Sequence, residues 1–213
     1  MIRNLKVLMA AMMALAAFGA LSATAHAAEE KFHCSVEPCR VTLNPDGVGA
    51  TSHVVILVKG SKGSFSTTCN SVTGEATSSL KTFTELTVTN IKGIGCKING
   101  VSVELKMNGC DYLYTSAGTL SILCPEGKEI EAGLTGGCLY NIPSQGPLKG
   151  IAYHNITSKS EITVEMAVKG IVVSANSKCE AVGTGLEAEF TTGNTIWTSE
   201  TDPAGVMANV WWE

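Results

Sequence analysis

Four glutamates are spaced so that they could act in pairs as acid–base groups. Glu129 and Glu131 are two residues apart, as are Glu187 and Glu189, so each pair shares one face of an extended strand. A glycosidase uses two carboxylates about 5–9.5 Å apart, with the pKa of one raised by burial. One apolar residue separates the members of each pair, as on the solvated face of a strand. The spacing therefore favours exposed glutamates over a hydrolytic site.

Nucleophilic hydrolysis would need a histidine and an acid close to an activated serine or cysteine. Beyond residue 27 the sequence holds three histidines and three aspartates, namely His33, His53, His154, Asp46, Asp111 and Asp202. No Gly-x-Ser-x-Gly motif presents a serine. The sequence predicts no nucleophilic triad, and a secreted hydrolase acting on an extracellular polymer stays open as the alternative function, through a glutamate pair or a histidine.

Tryptophans are the best candidates for binding. Trp197, Trp211 and Trp212 lie late in the chain, and exposed aromatic rings bind sugar faces or partner proteins. Neighbouring strand residues point to opposite faces, so Trp211 and Trp212 cannot share a face if the end of the chain is extended. We expect one of these two to close the core and the other to be available to an extracellular ligand or protein partner.

The charge balance excludes nucleic acid as a partner. The 213 residues carry 15 basic and 19 acidic side chains, a formal net charge of −4. Binding to phosphates would need a basic patch and a high isoelectric point. The apolar content of 45% also excludes a disordered chain, which would bury too little surface to fold.

Residues 1–27 have the features of a cleaved secretory signal peptide. Arg3 and Lys6 precede an apolar run over residues 7–20, and Ala-His-Ala at 25–27 is a small-x-small cleavage site. The run is shorter than the ~20 residues that span a bilayer. We therefore expect a secreted domain over 28–213, extracellular or in the cell envelope, with no membrane span and 13 basic against 19 acidic side chains.

The eight cysteines all follow the predicted cleavage site. They are Cys34, Cys39, Cys69, Cys96, Cys110, Cys124, Cys138 and Cys179. Zinc and redox sites use C-x-x-C or closely spaced histidines, and the sequence has neither, so we predict no metal and no cofactor. An even number of cysteines in an oxidising compartment predicts four disulfides.

The spacing around Ala117 predicts one disulfide directly. Two β-prone runs flank a turn at 116–118, and a hairpin centred on Ala117 places Cys110 opposite Cys124. Opposed residues in such a hairpin are close enough to be bridged. The same register pairs the other residues of the cysteine face, Tyr112 with Ile122 and Tyr114 with Leu120.

A short internal similarity predicts two further disulfides. Residues 85–88 and 92–94 resemble residues 161–164 and 169–171. One cysteine pair flanks each copy, which predicts Cys69–Cys96 and Cys138–Cys179, and proximity predicts Cys34–Cys39. The matching letters are common in strands, so duplication and chance similarity both stay open.

Alternation of apolar and polar residues predicts an all-β fold. The pattern is clear over 101–107 and 161–168, while the continuous apolar run 54–58 predicts a strand covered on both faces. Asn99-Gly100 and Asn108-Gly109 predict tight turns, and Gly170 predicts a bulge. We expect a disulfide-stapled antiparallel sandwich of ten to fourteen strands, or two fused sandwich-like halves. Those halves would be the residue ranges 50–109 and 138–213, joined by a meander over 110–134.

Several signatures resemble those of a group of secreted, cysteine-containing bacterial β proteins of uncharacterised function. The signatures are Phe-His-Cys at 32–34, Met-Asn-Gly-Cys-Asp-Tyr at 107–112, Cys-Pro-Glu-Gly-Lys at 124–128, Tyr-His-Asn at 153–155, Thr-Thr-Gly-Asn-Thr at 191–195 and the tryptophan-rich end. The resemblance covers most of the mature chain and implies export, but it implies no activity and no functional residue.

The functional expectation is an exported, non-catalytic β module that is envelope-associated, adhesive or ligand-binding. It follows from the signal peptide, the disulfides, the alternating strands and the lack of a catalytic constellation. A secreted protein inhibitor is a further alternative, for which a long exposed loop over 142–149 would be the presenting element.

Overall fold

The computed structural model describes residues 29–43, 54–133, 137–156, 161–179, 183–199 and 208–213. These residues form strands, turns and irregular segments, with no helix, so the all-β prediction is confirmed. The predicted signal peptide and the residues His53, Asp46 and Asp202 lie outside these ranges. The strands are β1 (Phe32–Cys34), β2 (Cys39–Leu43), β3 (Val54–Lys59), β4 (Ser64–Cys69), β5 (Ser71–Ser78), β6 (Thr82–Phe83), β7 (Glu85–Ile94), β8 (Lys97–Ile98), β9 (Val101–Ser102), β10 (Leu105–Lys106), β11 (Asp111–Thr115), β12 (Thr119–Leu123), β13 (Ile130–Gly133), β14 (Leu139–Ile142), β15 (Gln145–Lys149), β16 (Ile151–Asn155), β17 (Glu161–Val172), β18 (Ser174–Ala175), β19 (Glu187–Ser199) and β20 (Val210–Trp212).

One large antiparallel sheet organises the molecule. Its central strands follow the order β15, β12, β11, β7, β5, β2 and β19, and β17 pairs with the other side of β19. Both of the ranges 50–109 and 138–213 contribute to it, through β5 and β7 in the first and β17 and β19 in the second. Buried and less buried residues alternate along β11 and β17, so one face of the sheet encloses the core.

The strands at the two ends of this series, β15 and β17, are joined by hydrogen bonds from the Gln145 side chain. The Gln145 carboxamide at the start of β15 accepts a hydrogen bond from Val172 N–H at 2.8 Å and donates one to the Val172 carbonyl oxygen at 3.0 Å. Ala167 N–H also donates to the Gly150 carbonyl oxygen at 2.7 Å. A Cβ on Gly150, which has φ +120°, would overlap the Ala167 carbonyl oxygen, so the close approach requires glycine. The sheet is thereby closed between β15 and β17.

A second layer packs against an extension of the large sheet. The upstream part of β19 pairs with β3, and the sheet continues through β4, β8 and β9. The four-stranded sheet β10–β13–β14–β18 faces this extension, and Phe65 of β4 stacks on Tyr140 of β14 with ring centroids 4.0 Å apart. The buried apolar side chains of both regions form one contiguous cluster. Two sheets therefore pack face to face in this part of the molecule.

A small sheet of order β20–β1–β6 carries the aromatic centre of the core. Its inward residue Phe32 is completely buried and meets Tyr153 edge-on at 4.9 Å between ring centroids and Trp197 at 5.8 Å. Phe83 lies opposite Phe32 in the ladder, with ring centroids 5.6 Å apart. Phe32 therefore joins this sheet to the interior of the larger one.

The four predicted disulfides are present and join cysteines in consecutive pairs. They are Cys34–Cys39, Cys69–Cys96, Cys110–Cys124 and Cys138–Cys179. The β11–β12 hairpin has the predicted register, with Tyr112 opposite Ile122 and Tyr114 opposite Leu120. The sequence turns are also confirmed, since both residues of Asn99-Gly100 and of Asn108-Gly109 have positive φ. The register of β17 against β19 shifts between Val168 and Ile171, which confirms a bulge at Gly170.

Four local predictions are wrong, the first being the strand number, since the described residues form twenty strands and not ten to fourteen. The alternating run 101–107 is split between β9 and β10, which belong to different sheets, because the chain leaves one layer for the other there. The range 142–149 is no exposed loop, since β15 pairs with β12 over most of it. The run 54–58 is not covered on both faces, because Val55 and Leu57 stay partly exposed on the side opposite Ile56 and Val58.

Replacing Gln145 tests the closure of the sheet. We expect Gln145→Ala to lower the free energy of unfolding by about 1–2 kcal/mol, because two hydrogen bonds to Val172 are lost. Gln145→Glu should be at least as damaging, since it places a carboxylate against the Val172 carbonyl oxygen. Lys149→Ala, an exposed change on the same strand, is the control. Urea unfolding with the disulfides intact measures all three variants, and wild-type stability in Gln145→Ala would contradict the closure.

All four tyrosines are buried, so the protein should lose stability in alkali. Burial raises the pKa of each tyrosine, namely Tyr112, Tyr114, Tyr140 and Tyr153. An unfolded chain releases tyrosine protons near pH 10 while the folded chain retains them, so the free energy of unfolding falls as the pH rises above about 10. Tyr114→Phe should make this fall less steep. Tyrosinate absorbance during an alkaline titration, with urea-unfolded protein as the control, checks the expectation, and native tyrosines that titrate near pH 10 would refute it.

Candidate functional site

Trp197 is a core residue, which corrects its prediction as a binding aromatic. Its side chain is completely buried, and its ring meets Tyr114 edge-on at 5.0 Å and Tyr153 at 5.7 Å between centroids. It lies at an inward position of β19, opposite Ile162 of β17. The run of β-prone residues around it could not reveal this, because either face of β19 could have been the buried one.

The last two tryptophans point to opposite faces of β20. Trp212 faces inward, where its ring contacts Tyr153 at 5.7 Å between centroids and its Nε1 donates to the Ser116 carbonyl oxygen at 3.2 Å. Trp211 faces outward and stacks on His33 of β1, with ring centroids 5.3 Å apart and ring planes inclined by 12°. Both tryptophans are partly exposed. Trp211 is thus the tryptophan on the outer side of the small sheet.

A hydroxyl group orients the histidine of this stack. Thr82 Oγ1 lies 3.2 Å from His33 Nδ1, and Thr82 is the ladder partner of His33 on β6. His33 is in turn the ladder partner of Trp211. We call His33, Thr82 and Trp211 the aromatic patch, because they form one row across the outer face of the sheet. Flat rings flanked by a hydroxyl group suit the apolar face and the hydroxyl groups of a sugar.

Hydrogen bonds on two sides hold β20, the strand that carries Trp211, in place. On one side, Asn155 acts like a peptide group, since Trp212 N–H donates to its Oδ1 at 2.8 Å and its Nδ2 donates to the Trp212 carbonyl oxygen at 2.6 Å. On the other side, Lys31 and Glu213 exchange two backbone hydrogen bonds of 2.6 and 3.0 Å. The position of the aromatic patch therefore depends on Asn155 as well as on the β1 ladder.

The glutamate pairs do not form an acid–base site. None of Glu129, Glu131, Glu187 and Glu189 is buried. Lys59 Nζ donates to Glu189 Oε1 at 2.8 Å, and this hydrogen bond lowers the pKa of Glu189. A glycosidase acid needs a pKa shifted upwards. His154 and Glu165 approach to 3.7 Å, but both side chains are more than half exposed.

Two surface clefts have no counterpart in the sequence predictions. One, of about 490 Å³, lies between the turn at Ser61–Lys62 and the segments around Ser177 and Thr184. The other, of about 700 Å³, lies between the end of β7 and β10. Both clefts unite segments that are distant in the chain. The only local signals were glycines that mark turns, and these indicate where the chain bends and not what it bends towards.

Comparison of the chain with family models, with curated proteins and with solved structures finds no match. Its functional interpretation therefore rests on its own residues. Among the described residues, no group of three or more histidine, cysteine, aspartate or glutamate side chains is placed to hold a metal ion. Over the same ranges, no helix has the length and apolar character needed to cross a membrane.

Asn155→Ala should loosen the strand that carries the patch. The Trp212 amide loses its acceptor, so we expect its hydrogen exchange to accelerate about tenfold, as a loss of about 1.4 kcal/mol in local stability implies. Hydrogen exchange at the Lys31 and Glu213 amides should also accelerate, because these residues pair next to Trp212. His154→Ala, an exposed change on the same strand, serves as control. Exchange at Trp212 that equals wild type would show that β1 alone holds the strand.

Proposed function

We propose that this protein is an exported, non-catalytic β module that binds an extracellular carbohydrate through the aromatic patch, in an envelope-associated or adhesive role. The stacked pair Trp211 and His33 on the outer face of β20 and β1 is the observation that carries the proposal. The facing ring planes cover each other, so a sugar ring would pack its C–H face on an outer side of the stacked pair, with the Thr82 hydroxyl group beside it.

Export is supported by two independent features. The four disulfides are consistent with an oxidising compartment, because cytosolic thiols are kept reduced. Residues 1–27 have the composition of a cleaved signal peptide. The resemblance to secreted bacterial β proteins points the same way. A role outside the cytosol would place the aromatic patch among envelope or environmental polysaccharides.

The non-catalytic part of the proposal rests on the state of the acidic side chains. Glu189 is engaged by Lys59, and the pKa of its carboxyl group is lowered, which suits a surface ion pair. The other predicted acids, Glu129, Glu131 and Glu187, are exposed to different degrees. A module of this kind holds its ligand and leaves the ligand unchanged.

Tryptophan fluorescence during titration with short neutral oligosaccharides tests the proposal. The probes are oligomers of glucose, xylose and N-acetylglucosamine, added one at a time to the mature protein. We expect at least one to change the emission, with affinity reduced about tenfold or more in Trp211→Ala and partly retained in Trp211→Phe, since stacking on one ring is worth about 0.5–1.5 kcal/mol beyond its area. Val172→Ala, an exposed apolar change on β17, is the control.

Two results would count against the proposal. If none of the oligosaccharides binds, the carbohydrate assignment is wrong. If Trp211→Ala binds as tightly as wild type, the patch is not the site. Chromatography of the same oligosaccharides after long incubation tests the hydrolase alternative, because shortened chains would show catalysis.

A further inference from the structure

The cleft between the end of β7 and β10 is the larger of the two surface clefts described above. Its volume of about 700 Å³ falls in the range of roughly 300–1,000 Å³ that is typical of small-molecule sites. Its lining comes from residues 91–93, 95–96 and 102–108, all of which belong to the continuous described range 54–133. No gap in the described chain therefore interrupts these walls.

Apolar side chains and a disulfide form the floor of the cleft. Ile91, Cys96 and Met107 line the cleft and are buried. A Cβ at Gly93 would lie 2.6 Å from Cys96 Sγ and 3.3 Å from Leu105 Cδ2, so the disulfide sulfur and the leucine meet directly beside this glycine. Leu105 is half-buried and packs against the core. An apolar side chain of a ligand would find apolar contacts on this floor.

Hydrogen bonds hold both walls of the cleft before any ligand arrives. Val103 N–H donates to the Cys96 carbonyl oxygen at 2.9 Å, which joins the two ends of the β8–β9 hairpin. At the other end of the lining, Asn108 Nδ2 donates to the Glu129 carbonyl oxygen at 2.9 Å. A site with ordered walls loses little conformational entropy when a ligand binds.

The cleft borders an edge of the four-stranded sheet. Among the described strands, β10 pairs with β13 alone. Both residues of β10, Leu105 and Lys106, line the cleft, whereas none of β13 does, so the cleft lies on the side of β10 that faces away from its sheet. Alternate residues of an edge strand direct N–H and C=O groups to that side, where an added strand can pair with them. An extended peptide has main-chain groups that suit such an edge.

The rim of the cleft carries side chains of both signs. Lys92 and Lys106 supply positive charge, Glu104 supplies negative charge, and all three are exposed. A ligand with one carboxylate and one ammonium group can pair both of its charges here. A short peptide with free termini has these two groups, whereas a neutral sugar has neither and a fatty acid has only the carboxylate.

We propose that this cleft binds a short apolar peptide with free termini, which lies along β10 as an added strand. The peptide groups pair with the edge of β10, and the apolar side chains contact the floor. The terminal carboxylate pairs with the lysines of the rim and the terminal ammonium with Glu104. The cleft shares no residue with the aromatic patch, so it stands or fails independently of the function proposed above.

Calorimetric titration of the mature, disulfide-bonded protein tests the assignment. The probes are the tripeptide Leu-Val-Leu, its N-acetylated and C-amidated forms, Leu-Pro-Leu and Ser-Ser-Ser. We expect Leu-Val-Leu to bind about tenfold or more tightly than Ser-Ser-Ser, because its side chains bury apolar surface. Leu-Pro-Leu should bind about tenfold more weakly than Leu-Val-Leu, since proline has no N–H to donate. Blocking either terminus should weaken binding about fivefold, the size expected of an ion pair that water still reaches.

Variants assign each terminus to its partner. Glu104→Gln should weaken Leu-Val-Leu about fivefold and leave the N-acetylated form unchanged. The double variant Lys92→Ala/Lys106→Ala should weaken Leu-Val-Leu by at least as much and leave the C-amidated form unchanged. Such a pattern isolates the pairwise interaction from other effects of the substitution. Glu85→Gln and Lys149→Ala, which change exposed residues elsewhere, are the matched controls and should bind like wild type.

Four calorimetric outcomes would overturn the proposal. They are no binding of Leu-Val-Leu, equal affinity for Ser-Ser-Ser, equal affinity for Leu-Pro-Leu, and no effect of either the blocked termini or the charge variants. Amide chemical shifts of the wild-type protein with Leu-Val-Leu provide a check that does not depend on variants. Changes confined to the region of Gly93, Val103 and Leu105 support the cleft, and changes centred on Trp211 contradict it. Trp211→Ala should bind the peptide normally, so a failure of the aromatic patch and a failure of this cleft are distinguishable.

Discussion

Each edge of an antiparallel sheet exposes a row of peptide groups that need hydrogen-bond partners, from water or from the protein. In this protein a side chain meets that requirement where the ladder stops: the Gln145 carboxamide presents one donor and one acceptor to Val172, as a neighbouring peptide would. Asn155 does the same for Trp212 at the end of the chain. These two amides complete the enclosure of the core, one between β15 and β17 and the other between β16 and β20.

The enclosed core explains why so few aromatic residues suffice. Trp197 lies at the centre of edge-on and tilted ring contacts with Phe32, Tyr114 and Tyr153, which reach it from three different strands. Such ring pairs add to the stabilisation from apolar burial. The tyrosines that sequence reasoning assigned to the cysteine face are thus interior residues. The described surface carries mainly polar and charged side chains, with scattered exposed apolar residues such as Leu80 and Val172.

The sequence reveals this fold wherever partners are close along the chain. The Cys110–Cys124 hairpin could be read from symmetry about Ala117, and the Asn-Gly turns from their need for positive φ. The closure by Gln145 could not be predicted from the sequence. A glutamine carries no local sign that it will bond to a strand residue 27 positions away. The clefts were missed for the same reason, since each forms only when distant segments meet. Trp197 and Trp211 looked equivalent in the sequence, and only the sheet topology separates the buried one from the partly exposed one.

The order of the disulfides has a consequence for how the chain matures. Each cysteine is bridged to its immediate neighbour along the sequence, so no bridge encloses or crosses another. Of the 105 ways to pair eight cysteines, this is the one in which each second cysteine, taken in sequence order, finds only its own partner still unpaired. The export proposed above, if it starts from the amino end, would therefore allow the four bridges to form one after another along the chain. The native pairs are therefore the pairs that form when the cysteines become available in sequence order.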